Sequence, residues 1–147
     1  DQPRSRGLGD VYKRQRVLTA EELASLNALN GGLAELIGLQ FTHIGPREAR
    51  AKLQVKPEHH QPWGVANGGL YCSIAETVAS IASVVAADAP AVGVNNSSDF
   101  IRSTGQGGLE AVATPVQLGR RTHLWSVEMR QGGELIARTT LRTMILR

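Results

Sequence analysis

Apolar residues follow a helical period in the middle of the chain and a period of two in a segment before it. Between Leu70 and Val85 they return every three or four residues, which predicts one long helix with a buried face. Asp88 and Pro90 predict the end of that helix. In residues 48–56, small or apolar side chains alternate with charged or amide side chains, which indicates a strand with one buried and one solvated face.

The rest of the pattern predicts a short helix and several more strands. Thr19 and Glu22 form a capping-box pattern, so the short helix is expected to begin there and to run to about Asn30. Gly107-Gly108 and Gly132-Gly133 predict hairpin turns between strands. The strands are predicted at about 39–44, 48–56, 91–102, 107–118, 121–131 and 134–146. One long helix among five or six antiparallel strands indicates an α+β fold.

The loop before the long helix concentrates polar residues and glycines. It reads His59-His60-Gln61-Pro62-Trp63-Gly64-Val65-Ala66-Asn67-Gly68-Gly69. In the helix that follows, Gly68, Glu76 and Ser80 share one face because multiples of four residues separate them. The N–H groups at a helix N-terminus lack intrahelical partners and can stabilise an oxyanion. A carboxylate on the same helix as such donors indicates hydrolysis of an acyl group.

This combination resembles the hotdog-fold acyl-CoA thioesterases of the PaaI-like branch, which includes aryl-CoA thioesterases. Their signature is close to H-x-Q-P-x-G-x-x-[HN]-G-G, followed by a catalytic Glu or Asp eight residues after the first glycine of the pair. The resemblance covers about residues 20–147, with later matching blocks at 92–102 and 118–121. It implies a sheet wrapped around one central helix and hydrolysis of an aromatic or medium-chain acyl-CoA, without a metal or other cofactor.

The resemblance also implies roles for residues of the long helix. Glu76 would be either the nucleophile or the general base that activates water, and the alternative is a solvated surface carboxylate. Gly68 would present its N–H to the thioester oxygen, and Gly69 would permit the close approach of the substrate. The alternative for both glycines is a plain loop-to-helix junction. Ser80 would orient the carboxylate or the attacking water, unless it is only a small residue that allows close packing.

The loop residues receive roles from the same resemblance. Asn67 would donate a hydrogen bond to the substrate carbonyl, a role compatible with its alternative as the helix N-cap. Gln61 would position the thioester and His60 would contact substrate, and hydrogen bonding within the loop is the alternative for both. Trp63 and Phe100 would line the acyl pocket, with core packing an equal alternative.

Three arginines in the later blocks are implied to contact coenzyme A, whose phosphates suit a guanidinium group. They are Arg102, Arg120 and Arg121, and the alternative is that they are ordinary surface charges. A metal site is not predicted, because His59 and His60 are not accompanied by the further spacing that metal ligands show.

Composition narrows the class of partner. Aromatic residues make up only 4% of the 147 residues, so the core is lean, and burial in a homodimer or homotetramer would add to it. The net charge is +3, and no basic run with interleaved aromatics indicates nucleic-acid binding. The single cysteine, Cys72, excludes an intrachain disulfide and fits a reducing cytoplasm. No signal peptide and no apolar run of the ~18 residues that a membrane span needs are recognised.

Residues 1–15, DQPRSRGLGDVYKRQ, do not match the family pattern. They resemble a translated sequencing-adapter fragment, so a disordered non-native tail is predicted there and a single domain at 16–147. A natural disordered tail is the alternative.

Two other functions are compatible with the same fold. A catalytically silent hotdog module would bind acyl-CoA or an acyl carrier protein without turnover. A hotdog dehydratase usually needs a histidine on the central helix, and residues 68–87 contain none.

Overall fold

The computed structural model describes residues 16–147, so the predicted tail lies outside the described residues. The helices are α1 (Ala20–Leu29), α2 (Gly32–Ile37) and α3 (Gly68–Ala87), with a 3₁₀ turn at Pro57–His59. The strands are β1 (Gln40–Ile44), β2 (Ala49–Val55), β3 (Ala91–Phe100), β4 (Gly107–Leu118), β5 (Thr122–Gln131) and β6 (Glu134–Ile145). The capping box at Thr19 and Glu22 is confirmed as the start of α1.

The six strands form one antiparallel sheet in the order β1-β2-β4-β5-β6-β3. Helix α3 contacts all six strands, so the sheet wraps around it and the predicted α+β hotdog architecture is confirmed. The core lies between them, where α3 contributes Ile74, Val78 and Val85 and the sheet contributes Trp125 and Leu141.

The two Gly-Gly pairs have different roles. Gly132-Gly133 forms the β5–β6 hairpin, with both glycines at positive φ, as predicted. The hairpin predicted at Gly107-Gly108 is wrong, because β3 pairs with β6 and β4 begins at Gly107. These glycines instead leave room for amide side chains: a Cβ would lie 2.9 Å from Gln131 Nε2 at position 107 and 3.1 Å from Gln54 Nε2 at position 108.

Helix α3 is bounded as its local sequence predicts. The Asn67 side chain caps its first turn, and Asp88 takes the left-handed conformation (φ 53°) directly after its last residue. The sequence was expected to contain no apolar run long enough for a membrane span. That expectation is wrong, because α3 is long enough and apolar enough to cross a membrane, by length and composition. Among the described residues it is the one such helix, and its apolar face packs on the sheet as the core of the fold.

The two edges of the sheet differ. At β1, the Asn27 amide donates to Phe41 O at 2.9 Å and accepts from Phe41 N–H at 2.8 Å, and Leu18 N–H donates to Ile44 O. The β1 edge is therefore closed by α1 and the residues before it. At the other edge, β3 pairs only with β6 within residues 16–147, and it exposes Val92 and Val94. An edge of this kind is available to a strand of another chain.

A buried polar cluster ties the second half of α3 to the sheet. Ser83 Oγ accepts a hydrogen bond from Trp125 Nε1 at 2.6 Å and lies 2.6 Å from Thr143 Oγ1. It also lies 3.1 Å from His123 Nδ1. Burial lowers the pKa of His123, and the positive charge of Arg147 lowers it further.

This cluster predicts a loss of stability in mild acid. Below about pH 6.5, the ordinary histidine pKa, the unfolded chain takes up a proton at position 123, whereas folded His123 resists it. The free energy of unfolding is therefore expected to fall as the pH drops from about 7 towards 5. Urea denaturation at several pH values measures the free energy of unfolding.

The matched variant is His123→Asn, which keeps a polar side chain at the cluster and does not titrate. Its free energy of unfolding is expected to fall less over the same pH range. An equal pH dependence in the two proteins would show that His123 is not responsible.

Candidate active site

Asn67 begins the site by capping α3. Its Oδ1 accepts from Gly69 N–H at 2.7 Å, and its own N–H donates to His59 O at 2.8 Å. The N-cap role is thus confirmed. Gly68 N–H is left without a hydrogen-bond partner in the described chain, at the positive end of the helix dipole. This N–H can donate to an oxygen on which negative charge develops.

A cleft of about 240 Å³ opens beside this N-terminus. It brings together Gln61, Gly68 and Arg102, which come from three separate segments of the chain. The remaining wall is formed by Val65, Ala66, Tyr71, Phe100, Ile101 and Ser103. Small-molecule sites commonly have ~300–1,000 Å³, so the cleft of one chain holds only a compact group.

Phe100 forms one wall of the cleft and lies directly over Gly68. A Cβ at position 68 would be 2.3 Å from the Phe100 ring, so only glycine permits this approach. Phe100 is 56% exposed and its ring centroid lies 5.8 Å from that of Tyr71. The core-packing alternative is therefore wrong for Phe100. It is wrong for Trp63 as well, which is 84% exposed and does not line the cleft.

The loop residues before α3 make hydrogen bonds of their own. His60 Nε2 lies 2.7 Å from Gly105 O and links the loop to the segment after β3. Gln61 donates its N–H to Val65 O, and its Oε1 accepts from Trp63 N–H. The side-chain N–H₂ group of Gln61 is left as the donor that a ligand in the cleft can use.

Glu76 lies two turns along α3 and outside the cleft. Its side chain is exposed, and it makes no hydrogen bond or ion pair with any residue from 16 to 147. It packs against Gly93 of β3, where a Cβ would lie 3.2 Å from Glu76 Oε1. Ser80 follows one turn later, half-buried, and no hydrogen bond joins it to Glu76 in the described part of the chain.

Strand β3 is tied to the turn of α3 that precedes Glu76. Asn96 Nδ2 donates to Cys72 O at 3.0 Å, and Ser98 Oγ donates to Asn96 Oδ1 at 2.7 Å. Neither Asn96 nor Gly93 was singled out from the sequence, because their contacts depend on β3 lying against this face of the helix.

The predicted arginines fall at opposite ends of the molecule. Arg102 lines the cleft and forms an exposed ion pair with Glu134 at 3.7 Å. Arg120 and Arg121 lie in the β4–β5 turn, at the C-terminal end of α3, where Arg147 donates to both Arg120 O and Ala87 O. A 20-residue helix is about 30 Å long, so one chain does not bring these two arginines near Gly68.

The ring of His59 is held within the fold. His59 Nδ1 accepts from Lys56 N–H, and His59 Nε2 lies 2.9 Å from Ile37 O, so both ring nitrogens are engaged within the fold. No group of three His, Cys, Asp or Glu side chains that could hold a metal occurs in the region from 16 to 147.

Comparison with known proteins identifies the family. Residues 64–137 match the thioesterase superfamily. The chain is 44% identical over 96 residues to the Mycobacterium tuberculosis protein Rv1847, covering 62% of this chain and 69% of that one. It is 29% identical over 140 residues to the Escherichia coli 1,4-dihydroxy-2-naphthoyl-CoA hydrolase, covering 92% and 99%.

Solved structures agree with this assignment. A Haemophilus influenzae thioesterase superposes with a TM-score of 0.80 at 26% identity, covering 85% of this chain and 90% of that one. The predicted resemblance is confirmed by these matches together with the wrapped helix. The chain belongs to the thioesterase superfamily, and it is a thioester hydrolase with the hotdog fold.

Proposed function

We propose that the protein hydrolyses aromatic or medium-chain acyl-CoA thioesters to a free acid and coenzyme A. The observation that carries this proposal is the unpaired Gly68 N–H facing a compact cleft, with Glu76 on the same face of α3. The aromatic alternative is supported by the E. coli relative, whose name is that of an aromatic acyl-CoA hydrolase. The reaction is expected to occur in the cytoplasm.

The chemistry follows from an oxyanion donor and a carboxylate. The thioester oxygen accepts from Gly68 N–H, which stabilises the charge that develops when the carbonyl carbon is attacked. Glu76 either removes a proton from the attacking water or attacks the carbon itself, forming an anhydride that water then cleaves. In both routes the C–S bond breaks, water supplies the new C–O bond, and the thiolate of coenzyme A takes up a proton.

The neighbouring polar groups position the thioester and the water. Gln61 donates to the substrate from the cleft wall, and His60 holds the loop that carries it. Asn67 caps α3 through its Oδ1, so its N–H₂ group is the part that donates to substrate. Ser80 orients the carboxylate or the water when the site is complete. Gly69 lets the thioester approach the helix N-terminus closely.

One helix cannot supply both reacting groups. Gly68 and Glu76 are eight residues apart, which is about 12 Å along the axis, whereas a reacting carbonyl must lie ~3 Å from the oxyanion donor and from the attacking group. An antiparallel α3 from a second copy, related by a two-fold axis, would bring its Glu76 beside Gly68. We therefore propose a homodimer at minimum, with two equivalent shared sites.

Two features of the single chain support this assembly. Glu76 is exposed and unpaired within the described chain, as a group that serves a neighbouring site would be. Among residues 16–147 nothing pairs with the outer edge of β3, which carries exposed Val92 and Val94, whereas the β1 edge is closed by Asn27 and Leu18. A homotetramer would pair two such dimers.

The dimer also gives the distant arginines a role. In an antiparallel pair, the partner's Glu76 lies beside Gly68 of the first chain. The partner's α3 then continues past Gly68 for about 16 Å before its C-terminal end. Arg120 and Arg121 of the second copy would then contact the phosphates of coenzyme A, while Arg102 contacts the thioester end from the cleft.

Replacement of Glu76 tests the catalytic carboxylate. Glu76→Ala and Glu76→Gln are each expected to lower kcat by about 10²–10⁴-fold, because neither can accept a proton or attack the carbonyl. A thiol-release assay against a panel of acyl-CoAs measures this. The melting temperature should stay near that of the wild type, because the exposed Glu76 makes no intramolecular hydrogen bond that the structure describes.

The matched control is Glu35→Gln, which removes a charge from another exposed helical glutamate. It is expected to keep wild-type turnover. Activity of either Glu76 variant within a few-fold of the wild type would refute the assignment of Glu76.

Subunit mixing tests the shared site. Glu76→Ala is combined with the double variant Asn67→Ala/Gly68→Ala, each inactive alone. Each heterodimer contains one site with an intact Gly68 and an intact Glu76, so equal mixing should restore about a quarter of wild-type activity. Absence of recovery, with subunit exchange verified by mass spectrometry, would show that each chain carries its own complete site.

Substitution of the distant arginines tests coenzyme A binding. Arg120→Ala and Arg121→Ala are each expected to raise KM about fivefold with little change in kcat, because the contact is made equally in ground and transition states. Arg47→Ala, at an exposed position between β1 and β2, is the control and should leave KM unchanged. A fall in kcat at constant KM would assign the arginines to the chemistry or the fold.

A further inference from the structure

Gln131, the last residue of β5, holds the segment between β3 and β4 with its side chain. Its Nε2 donates to Gln106 O at 2.8 Å, and its Oε1 accepts from Thr104 Oγ1 at 2.7 Å. Thr104 is buried, and its hydroxyl also lies 2.9 Å from Gln106 O. Residues 101–106 belong to no strand, so these side-chain bonds replace the ladder that would otherwise fix their conformation.

The same segment holds the loop that precedes α3. Ala66 N–H donates to Thr104 O at 2.8 Å, and His60 Nε2 lies 2.7 Å from Gly105 O. The approach is close, because a Cβ at position 105 would lie 2.5 Å from Gly64 O. His60 and Ala66 pair with each other as an isolated β-bridge, so both arms of the loop are anchored to the segment.

The segment and the anchored loop together form much of the cleft. Residues 101–103 belong to its lining, and the loop anchored at 104–105 contributes Gln61 and Ala66. Ala66 lies two residues before Gly68. A displacement of the loop would therefore change where the Gln61 amide stands relative to the Gly68 N–H.

We propose that Gln131 is a positioning residue for thioester hydrolysis, which acts by holding the loop that carries Gln61 and leads to Gly68. Gln131 does not line the cleft itself. The inference rests on the proposed function, in which the thioester oxygen accepts from Gly68 N–H. Its physical basis is the precision that catalysis needs, because a misplacement of about 1 Å can lower a rate by about 10²-fold.

The expected signature is a lower kcat at an unchanged KM. A slightly displaced loop still admits the acyl-CoA, but it aligns the oxyanion donor less well with the charge that develops in the transition state. Loss of an interaction made only in the transition state lowers kcat and leaves KM unchanged.

The test removes each half of the network and compares it with an amide elsewhere in the fold. Gln131→Met and Thr104→Val keep the size of the side chain and delete its hydrogen-bonding groups, whereas Thr104→Ser keeps the hydroxyl. The control is Asn27→Leu, which deletes a side-chain amide that also bonds to backbone, at Phe41. Hydrolysis of benzoyl-CoA and of octanoyl-CoA is measured by thiol release, well below the melting temperature of every variant.

Gln131→Met and Thr104→Val are each expected to lower kcat about tenfold, with KM within about twofold of the wild-type value. Thr104→Ser and Asn27→Leu should keep the wild-type kcat. A wild-type kcat in Gln131→Met, or an equal fall of kcat in Asn27→Leu, would overturn the inference. So would a Thr104→Ser variant as slow as Thr104→Val, because the hydroxyl would then not be the group that matters.

Amide hydrogen exchange reports on the loop without turnover. Ala66 N–H should exchange about tenfold faster in Gln131→Met and in Thr104→Val than in the wild type. In Asn27→Leu the Phe41 N–H should exchange faster instead, and Ala66 should be unchanged. If the wild type hydrolyses neither ester, the proposed function fails, and exchange then decides whether Gln131 holds the loop. Faster exchange of Ala66 would support this role, and unchanged exchange would overturn it.

Discussion

The burial of α3 by the six-stranded sheet is the constraint on which the rest of the structure depends. The sheet removes one face of the helix from water, including Ile74, Val78 and Val85, and such burial is the main driving force of folding. Because that face is buried in the core, the opposite face of α3 lies near the surface of the chain. Gly68 and Glu76 lie there, so the packing that stabilises the fold also sets the direction in which the proposed reactive groups point.

Strand β3 packs beside the face of α3 that carries Gly68 and Glu76. Near its start, Gly93 leaves room for the Glu76 side chain, and the strand bulges between Gly93 and Asn95. Asn96 holds the carbonyl of Cys72 in the preceding helical turn, and at the far end Phe100 lies over Gly68. A single strand therefore shapes the surroundings of Glu76 and of Gly68, while its outer edge is left unpaired by residues 16–147.

Local signals in the sequence were sufficient to locate the ends of α1 and α3. Asn67 and Asp88 bound α3 as predicted, because capping depends on neighbouring residues alone. The pairing of β3 with β6 was missed, since Gly107-Gly108 looks like a turn and the true partner is distant in sequence. Periodicity cannot reveal that the Tyr71 hydroxyl lacks a hydrogen-bond partner within residues 16–147, nor that Arg120 lies far from Gly68.

The closure of β1 by Asn27 has a consequence for how copies of this protein can associate. A sheet with two free edges can add strands at both sides and grow into a fibre. Here one amide side chain uses both backbone groups of Phe41, so within residues 16–147 the β3 edge is the one at which another copy can continue the sheet. Growth through the β3 edge would end after two chains, because the pair would present only its β1 edges, which Asn27 and Leu18 cover.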